Sequence, residues 1–526
     1  MTMRWASRAV VVGMCVVTVL GSGAGSTRAE SATDSVSRSL RTPSFVPLTP
    51  ARVLDTRSGS KVGDAAGTAA ALEVSLLGKG GLPATGVAAV SLNVTVTEGE
   101  NPAVGGGFVT VFPCGVRPDA SNLNFTAGQT VPNAVIAPVS AGGTVCFYVY
   151  GTAHLLADVS GYFPTGSDFS TLTPARVLDT RATGKVGNAT GSGAPLELSV
   201  LGKGGVPGSG VGAVALNVTV AEGENPVAGG GYVTVFPCGV RPNASSLNFV
   251  AGQTVPNLVI APVSSAGKIC LYVYGTAHLL ADVSGYVPVG SDFVSLTPAR
   301  LVNTRDTAKV STGEVLEVSV LGRAGLPGTE AGVPVIGALS LNVTVTDTEN
   351  PAEGGGYVTV FPCGTRPDAS NLNFVAGQTI ANAVIAPISA AGTICFYVYG
   401  TAHLLADVSG YFPTTNVVRF KVVDEAGNLL AKSGVVYCDT SVVPLLFGGC
   451  TSSLDGSPSP DGFIRVAIAP DRPFQFNGYA RDLDWPCPFI TETGFIFHFS
   501  PPFSSLGADV PSLSTLIVHK PDPSEC

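Results

Sequence analysis

Three times in this 526-residue chain a histidine precedes an aspartate by four residues: His154 and Asp158, His278 and Asp282, His403 and Asp407. Each pair lies in the same run, YVYGTAHLLADVSGY. Side chains of these types can hold a transition metal or pass a proton. A catalytic zinc usually takes three protein ligands and an open position, yet each copy supplies one histidine with no second histidine or free cysteine beside it. Read as a strand, the run puts His154, Leu156, Asp158 and Ser160 on one face and Leu155, Ala157 and Val159 on the other. The expectation is a joint, not a catalytic or metal centre: Asp158 accepts hydrogen bonds or pairs with a buried arginine, and His154 caps a strand edge.

Arginines for such a joint recur with the same spacing. Arg52, Arg57 and Arg117 return as Arg176, Arg181 and Arg241, and as Arg300, Arg305 and Arg366. Charged residues make up only 12% of the chain, and a semi-buried guanidinium needs a carboxylate or carbonyls around it. Asp158 is therefore expected to pair with Arg52 or Arg57, and Asp282 and Asp407 with the corresponding arginines of their own repeats. Asp55 and Asp179 in LDTR look catalytic until the third copy replaces them by Asn303; Asp119 likewise becomes Asn243. Swaps that keep hydrogen bonding and discard charge fit a turn or cap.

Two other sets could meet a ligand. Glu98 and Glu100, Glu222 and Glu224, and Asp347 and Glu349 form acidic loops, but calcium wants more oxygen ligands in a tight loop than these offer alone. A solvated turn is the simpler reading. The Asn and Ser residues of SNLNF and SSLNF could meet sugar hydroxyls, with Tyr148, Tyr150 and Tyr162 as a stacking face. Turn chemistry and core packing account for the same residues.

The elements that carry these side chains repeat as a block. Arg52, Arg176 and Arg300 open ARVLDTR, ARVLDTR and ARLVNTR at equal steps. After each opening come relatives of LEVSLLGKGGLP, AVSLNVTVTEGENP, GGGFVTVFPCG, RPDASNLNFTAGQTVPNAVIAPVS and TVCFYVYGTAHLLADVSGYF, always in that order. The period is too long for a solenoid turn, so each copy is a domain. Inside a copy the period is two: Val90, Leu92, Val94 and Val96 alternate with Ser91, Asn93 and Thr95. Glycine, proline and asparagine punctuate the strands.

The fold class expected is all-β, with three tandem β-sandwich or small-barrel repeats over 45–164, 165–288 and 289–413. A different C-terminal β-sandwich follows over 414–526. The linkers PTGSDFSTLTP and PVGSDFVSLTP are short, and Phe169 and Phe293 within them could pack on neighbours. A rod and a closed pseudo-threefold cluster are both compatible with these spacings.

The N-terminus reads as an export signal over 1–29, with Arg4 and Arg8 before an apolar stretch and a cut near Ala29, then a linker over 30–44. Cysteine usage agrees with export. Outside that segment lie Cys114 and Cys146, Cys238 and Cys270, Cys363 and Cys395, then Cys438, Cys450, Cys487 and Cys526. One bridge per repeat plus two near the end is the economical reading and implies an oxidising compartment. The connectivity of the last four stays open. No later segment is long enough to span a membrane once the signal is removed. A net charge of −9 without a basic cluster excludes nucleic acid as a natural partner.

After Pro413, VVRFKVVDEAGNLLAKSGVVYC and SPDGFIRVAIAPDRPFQFNGYA set strands around a turn at Asp461–Gly462. This stretch, 417–482, resembles the small Ig-like sandwiches of the transthyretin-like and carboxypeptidase-regulatory-like type found on secreted proteins. The series ARVLDTR, LNVTV, SNLNF, GQTVPN and ADVSGY resembles a tandem repeat of exported actinobacterial proteins whose activity is not established. That resemblance implies an extracellular location and a β-rich fold, and no site residues. The sequence thus points to a secreted, non-enzymatic structural or adhesive cell-surface protein without cofactor or metal. The alternative is a carbohydrate-binding array for a cell-wall or environmental polysaccharide; partners would be polysaccharide or other cell-surface components. A hydrolase would need a site around Asp482, Asp484 and His498, beside Trp485.

Overall fold

The computed structural model describes residues 43–414 except 228, 331 and 332, and beyond them the C-terminal strands named below. Repeat 1 has eight strands: β1 (Val46–Asp55), β2 (Val62–Asp64), β3 (Leu72–Ser75), β4 (Val87–Glu100), β5 (Gly107–Pro113), β6 (Leu123–Phe125), β7 (Val131–Pro138) and β8 (Thr144–Pro164). Its organising element is β8, 21 residues long. One edge of β8 pairs with β5 and then β4; the other pairs with β3, β2 and β1. Between these halves β8 turns at Gly151, whose φ of +91° suits glycine. A Cβ there would meet the Glu100 carbonyl oxygen at 2.6 Å.

All eight strands thus join one sheet through β8, with β1-β8-β4-β7 on one side of the turn and β3-β8-β5-β6 on the other. Repeat 3 shows the division outright. Its counterpart of β8 breaks at Gly400 into Thr393–Tyr399 and Thr401–Pro413, and two separate four-stranded sheets result. The inner faces close on the residues that the period-two pattern assigns to one side. Val90, Leu92, Val94, Val96, Leu155, Ala157 and Val159 meet Val109, Val111 and Leu123 in one core, with equivalent cores in repeats 2 and 3. Burying each such aliphatic side chain is worth about 1.5–3 kcal/mol.

The opposite face of β4, β7 and β8 is covered as well, by the other repeats. Phe45, Ala89, Ala134, Ile136 and Phe163 join Phe169, Ala213, Leu258, Ile260 and Val287, and Phe293, Ala338, Ile385 and Phe412, in a fourth apolar core. The three repeats thus form a closed pseudo-threefold cluster, not a rod. Phe169 stacks on Phe163 at 4.1 Å between ring centroids, and Phe45 packs on Phe412 at 4.7 Å, which joins the start of repeat 1 to the end of repeat 3. The glycine of each SGY motif makes room for these rings: a Cβ on Gly161 would lie 2.1 Å from the Phe45 ring.

Disulfides Cys114–Cys146, Cys238–Cys270 and Cys363–Cys395 tie the end of β5, and of its counterparts, to the long strand beside it. They fit an oxidising compartment. No helix among the described residues is long and apolar enough to cross a membrane. In the C-terminal part, Val417–Val423 lies between Ile464–Ala467 and Leu513–Ile517 in one sheet. Ser433–Asp439 and Pro473–Ala480 lie in another with Cys450–Ser452, His498–Phe499 and Phe503–Ser504. Cys438 and Cys450 are register partners there. Cys487, Cys526, the Asp461–Gly462 turn, Asp482, Asp484, Trp485 and the expected signal lie outside the described residues.

Candidate functional site: the seams between repeats and an axial bowl

The His/Asp run enters the structure as the second half of β8, so its two faces are both buried. Asp158 is 3% exposed. Arg52, its register partner across β1, reaches it with Nε to Oδ1 at 2.5 Å and Nη2 to Oδ2 at 3.3 Å. Arg176–Asp282 and Arg300–Asp407 repeat the geometry. Burial pushes all three carboxyls above the usual aspartate range, against the pull of the arginines. Of the two arginines offered by the sequence, Arg57 takes a different partner. Two residues from Asp55 on the same exposed turn, it binds that carboxylate, with Nη2 to Oδ2 at 2.6 Å. Arg181 does the same to Asp179, and Arg305 donates to Asn303. The arginines hold Asp55 and Asp179 well below the ordinary carboxylate range.

These groups sit where one repeat meets the next. Arg52 and Arg57 share a groove with Asp368, Ser370 and Tyr357 of repeat 3, and Arg176 shares one with Asp119 and Arg117 of repeat 1. At the remaining seam Arg300 donates to the Asn243 carbonyl at 3.5 Å. The two aspartate-to-asparagine swaps therefore meet: Asn243 and Asn303 both belong to the seam between repeats 2 and 3. The other seams keep Asp119 with Asp179, and Asp368 with Asp55.

His154 Nδ1 lies 3.3 Å from the Thr56 hydroxyl, and its Nε2 lies 3.9 Å from Glu98. A hydroxyl, an imidazole and a carboxylate in line resemble a nucleophile–base–acid relay. The Thr56 oxygen, however, accepts the backbone N–H of Leu155 at 2.8 Å. This makes it a pin between β1 and β8. The seam grooves and the axial bowl described below are lined by other residues. The acidic loops do not converge on a cation either. Glu100 binds Lys61 at 2.7 Å and accepts from Thr152, while Glu98, at φ +50°, points to His154. Among the described residues, the one convergent group of ligand types is Glu317 with Cys363 and Cys395. That is a disulfide beside a carboxylate, and a disulfide offers no thiolate to a metal.

The tyrosines of the expected sugar face pack into the sandwich, Tyr150 half-buried against Phe108 at 5.2 Å, while Asn124 and Asn373 of SNLNF line a cavity on the axis of the three repeats. Tyr148 is buried, its ring covered by Arg117 at 3.7 Å and its hydroxyl donating to the Gly67 carbonyl. Tyr162 packs against the sandwich core. In SNLNF, the Asn122 side chain accepts from Val111 N, and the Ser121 carbonyl accepts from Asn217 of repeat 2.

The side chains that sequence reasoning passed over are the amides of GQT-x-x-N. Asn133 donates to Asn217 of repeat 2 at 2.9 Å, Asn257 to Asn342 of repeat 3 at 2.8 Å, and Asn382 to Asn93 of repeat 1 at 2.9 Å. Their own oxygens accept the backbone N–H of Leu258, Ala383 and Ala134. One turn earlier in sequence, Gln129, Gln253 and Gln378 rim a cavity of about 840 Å³ that all three repeats line. The signal available was that these amides stand in all three copies while their neighbours vary, from VPN to IAN.

No protein-family model matches this sequence, and no curated protein matches it.

Proposed function

We propose that the chain is an exported, non-enzymatic structural or adhesive protein of the cell surface in which three repeats act as one rigid head. The observation that carries this reading is the fate of the reactive side chains. Asp158, its arginine and the histidine beside it are taken up in strand pins and seam joints, and the same joint is built three times. Buried, fully partnered polar groups of this kind fix a unique assembly. The apolar leader, the cystines and the resemblance to exported actinobacterial repeats support secretion. Cell fractionation with surface proteolysis of intact cells tests the location. A screen of the purified chain on ester, glycoside and peptide substrates tests the activity. Turnover abolished by His154→Ala in a variant that still folds would overturn the proposal.

A second reading, recognition of a polysaccharide, is favoured by the axial cavity. It is rimmed by amides and hydroxyls and lined by no charged side chain. A glycan array probed with the intact chain separates the two readings: retention on neutral glycans promotes recognition, and an empty array leaves the scaffold.

A further inference from the structure

The axial cavity is built by threefold repetition of one segment, and its chemistry can be read from that segment. Each glutamine side chain caps its own loop: Gln129 Oε1 accepts Thr126 N at 3.0 Å, Gln253 Oε1 accepts Val250 N at 3.0 Å, and Gln378 Oε1 accepts Val375 N at 2.9 Å. With the oxygen fixed on the loop, the orientation of the amide is settled and its NH₂ is presented away from it. Three such donors converge on one cavity. A hydroxyl joins them. Thr130 and Thr379 are paired with Thr97 and Thr346, but in repeat 2 Ala221 stands where that partner would be, and Thr254 lines the cavity.

Beneath the rim Val131, Val255 and Ile380 supply an apolar floor. The next residues along the same strands close the bottom: Pro132, Pro256 and Ala381, then the ring of Asn133, Asn257 and Asn382, then the buried Ile136, Ile260 and Ile385. The bowl is thus a dead end about the pseudo-threefold axis. Its volume of about 840 Å³ lies within the roughly 300–1,000 Å³ of ordinary ligand pockets.

We propose that this bowl is a binding site for the end of a neutral saccharide, shared by the three repeats and occupied once per chain. Neutral hydroxyls match amide donors. Phosphate or carboxylate ligands would find no cation in the lining, and a nucleobase would find an aliphatic floor with the two aromatic rings of the lining, Phe125 and Phe374, buried and offering no platform. The C–H face of a sugar ring meets such a floor favourably, with hydroxyls directed to the rim. The inference rests on the polysaccharide reading above and makes it specific: recognition belongs to the closed cluster, at a stoichiometry of one, and not to three separate repeats.

Isothermal titration of the intact chain with maltohexaose, cellohexaose, mannohexaose and, as an acidic control, a hexameric alginate fragment tests it. Gln129→Glu, Gln253→Glu and Gln378→Glu keep the oxygen that caps the loop and remove the donor. The expected result is one neutral hexasaccharide per chain, bound about tenfold more weakly by each variant at unchanged melting temperature. Binding of three per chain, or binding indifferent to all three substitutions, would overturn the shared site while leaving polysaccharide recognition standing. Absence of binding by every neutral saccharide, or preference for the alginate fragment, would remove both.

Discussion

Asn382 of repeat 3 donates a hydrogen bond of 2.9 Å to Asn93 of repeat 1, across 289 positions of sequence. The same bond runs from repeat 1 to repeat 2 and from repeat 2 to repeat 3. An interface that passes from each copy to the next is heterologous, and it either closes or continues without limit. Here the rotation closes at three. Closure explains why β4 and β8 bury both faces, and why Ser91, Asn93 and Thr95 are polar without being wet. It also changes what triplication achieves. A string of beads would add reach, whereas this ring adds one axis at which three equal segments meet.

The asparagine ring should be costly to break. Asn133 is fully buried and satisfies the Asn122 carbonyl, the Asn217 side chain and the Leu258 N–H. Asn133→Ala strands these groups, at about 1–3 kcal/mol for each one left unpaired. The expected outcome is a loss of more than about 3 kcal/mol in urea unfolding of the intact chain. A loss below 1 kcal/mol, on the same order-of-magnitude basis, would show that water replaces the amide without penalty.

The two classes of aspartate at a seam should separate cleanly. Asp158→Ala takes from the half-buried Arg52 guanidinium both oxygens that its Nε and Nη2 reach and leaves it Asp55 alone, and breaking a buried pair in this way typically costs about 3–5 kcal/mol. Asp179→Asn reproduces what Asn303 already does at the seam between repeats 2 and 3, and an exposed pair contributes under about 1 kcal/mol. Melting of both variants beside the wild type checks the ordering. Equal effects would contradict it.

Acid should act through the exposed aspartates and not through the buried ones. Asp55 and Asp179, held low by Arg57 and Arg181, stabilise the fold above the unfolded carboxyl value of about 3.9, and that stability is lost as pH falls through their folded values. Asp158, Asp282 and Asp407 are raised by burial, so their sign is opposite. Their contribution is complete below about 3.9 and is lost as pH rises through the folded values. The double variant Asp55→Asn, Asp179→Asn should therefore show a shallower fall in melting temperature than the wild type below about pH 4. Calorimetry across that range reads the difference directly.

Much of this architecture was legible in the sequence because it is local. Alternation assigned Val90, Leu92, Val94 and Val96 to the core, and recurrence brought Arg52 and Arg57 forward as partners for Asp158. Choosing between those arginines needed the register of β1 against β8, which no periodicity carries. The two aspartate swaps looked independent, since Asn243 and Asn303 stand in different repeats; only closure brings them to one seam. Asn133 was passed over for the same reason: its partners Asn217 and Leu258 lie in another copy, and pairings between copies leave no period to read.

Reduction should loosen each sandwich without opening the ring. Cys146 is the register neighbour of Phe112, so the bridge constrains β5 against β8 far from the axial phenylalanines. A bridge closing a loop of this length is worth about 3–4 kcal/mol. Dithiothreitol is expected to lower the melting temperature while light scattering still reports a compact monomer. An expanded or aggregated reduced chain would place the disulfides in the assembly itself.

The strongest test of closure is to cut the chain. A fragment covering residues 45–164 carries both halves of a seam: Asn133 with its donor group, and Asn93 with its acceptor. It also carries Phe45, Ile136 and Phe163, which would face water alone. Exposed apolar surface of that kind favours association, and the only rotation built into these surfaces closes at three copies. The fragment is therefore expected to form a homotrimer, resolved by sedimentation equilibrium at micromolar concentration. Asn133→Ala together with Phe163→Ser should shift it to monomer or unfold it. A wild-type fragment that is folded and monomeric under those conditions would mean that each sandwich stands without the axis.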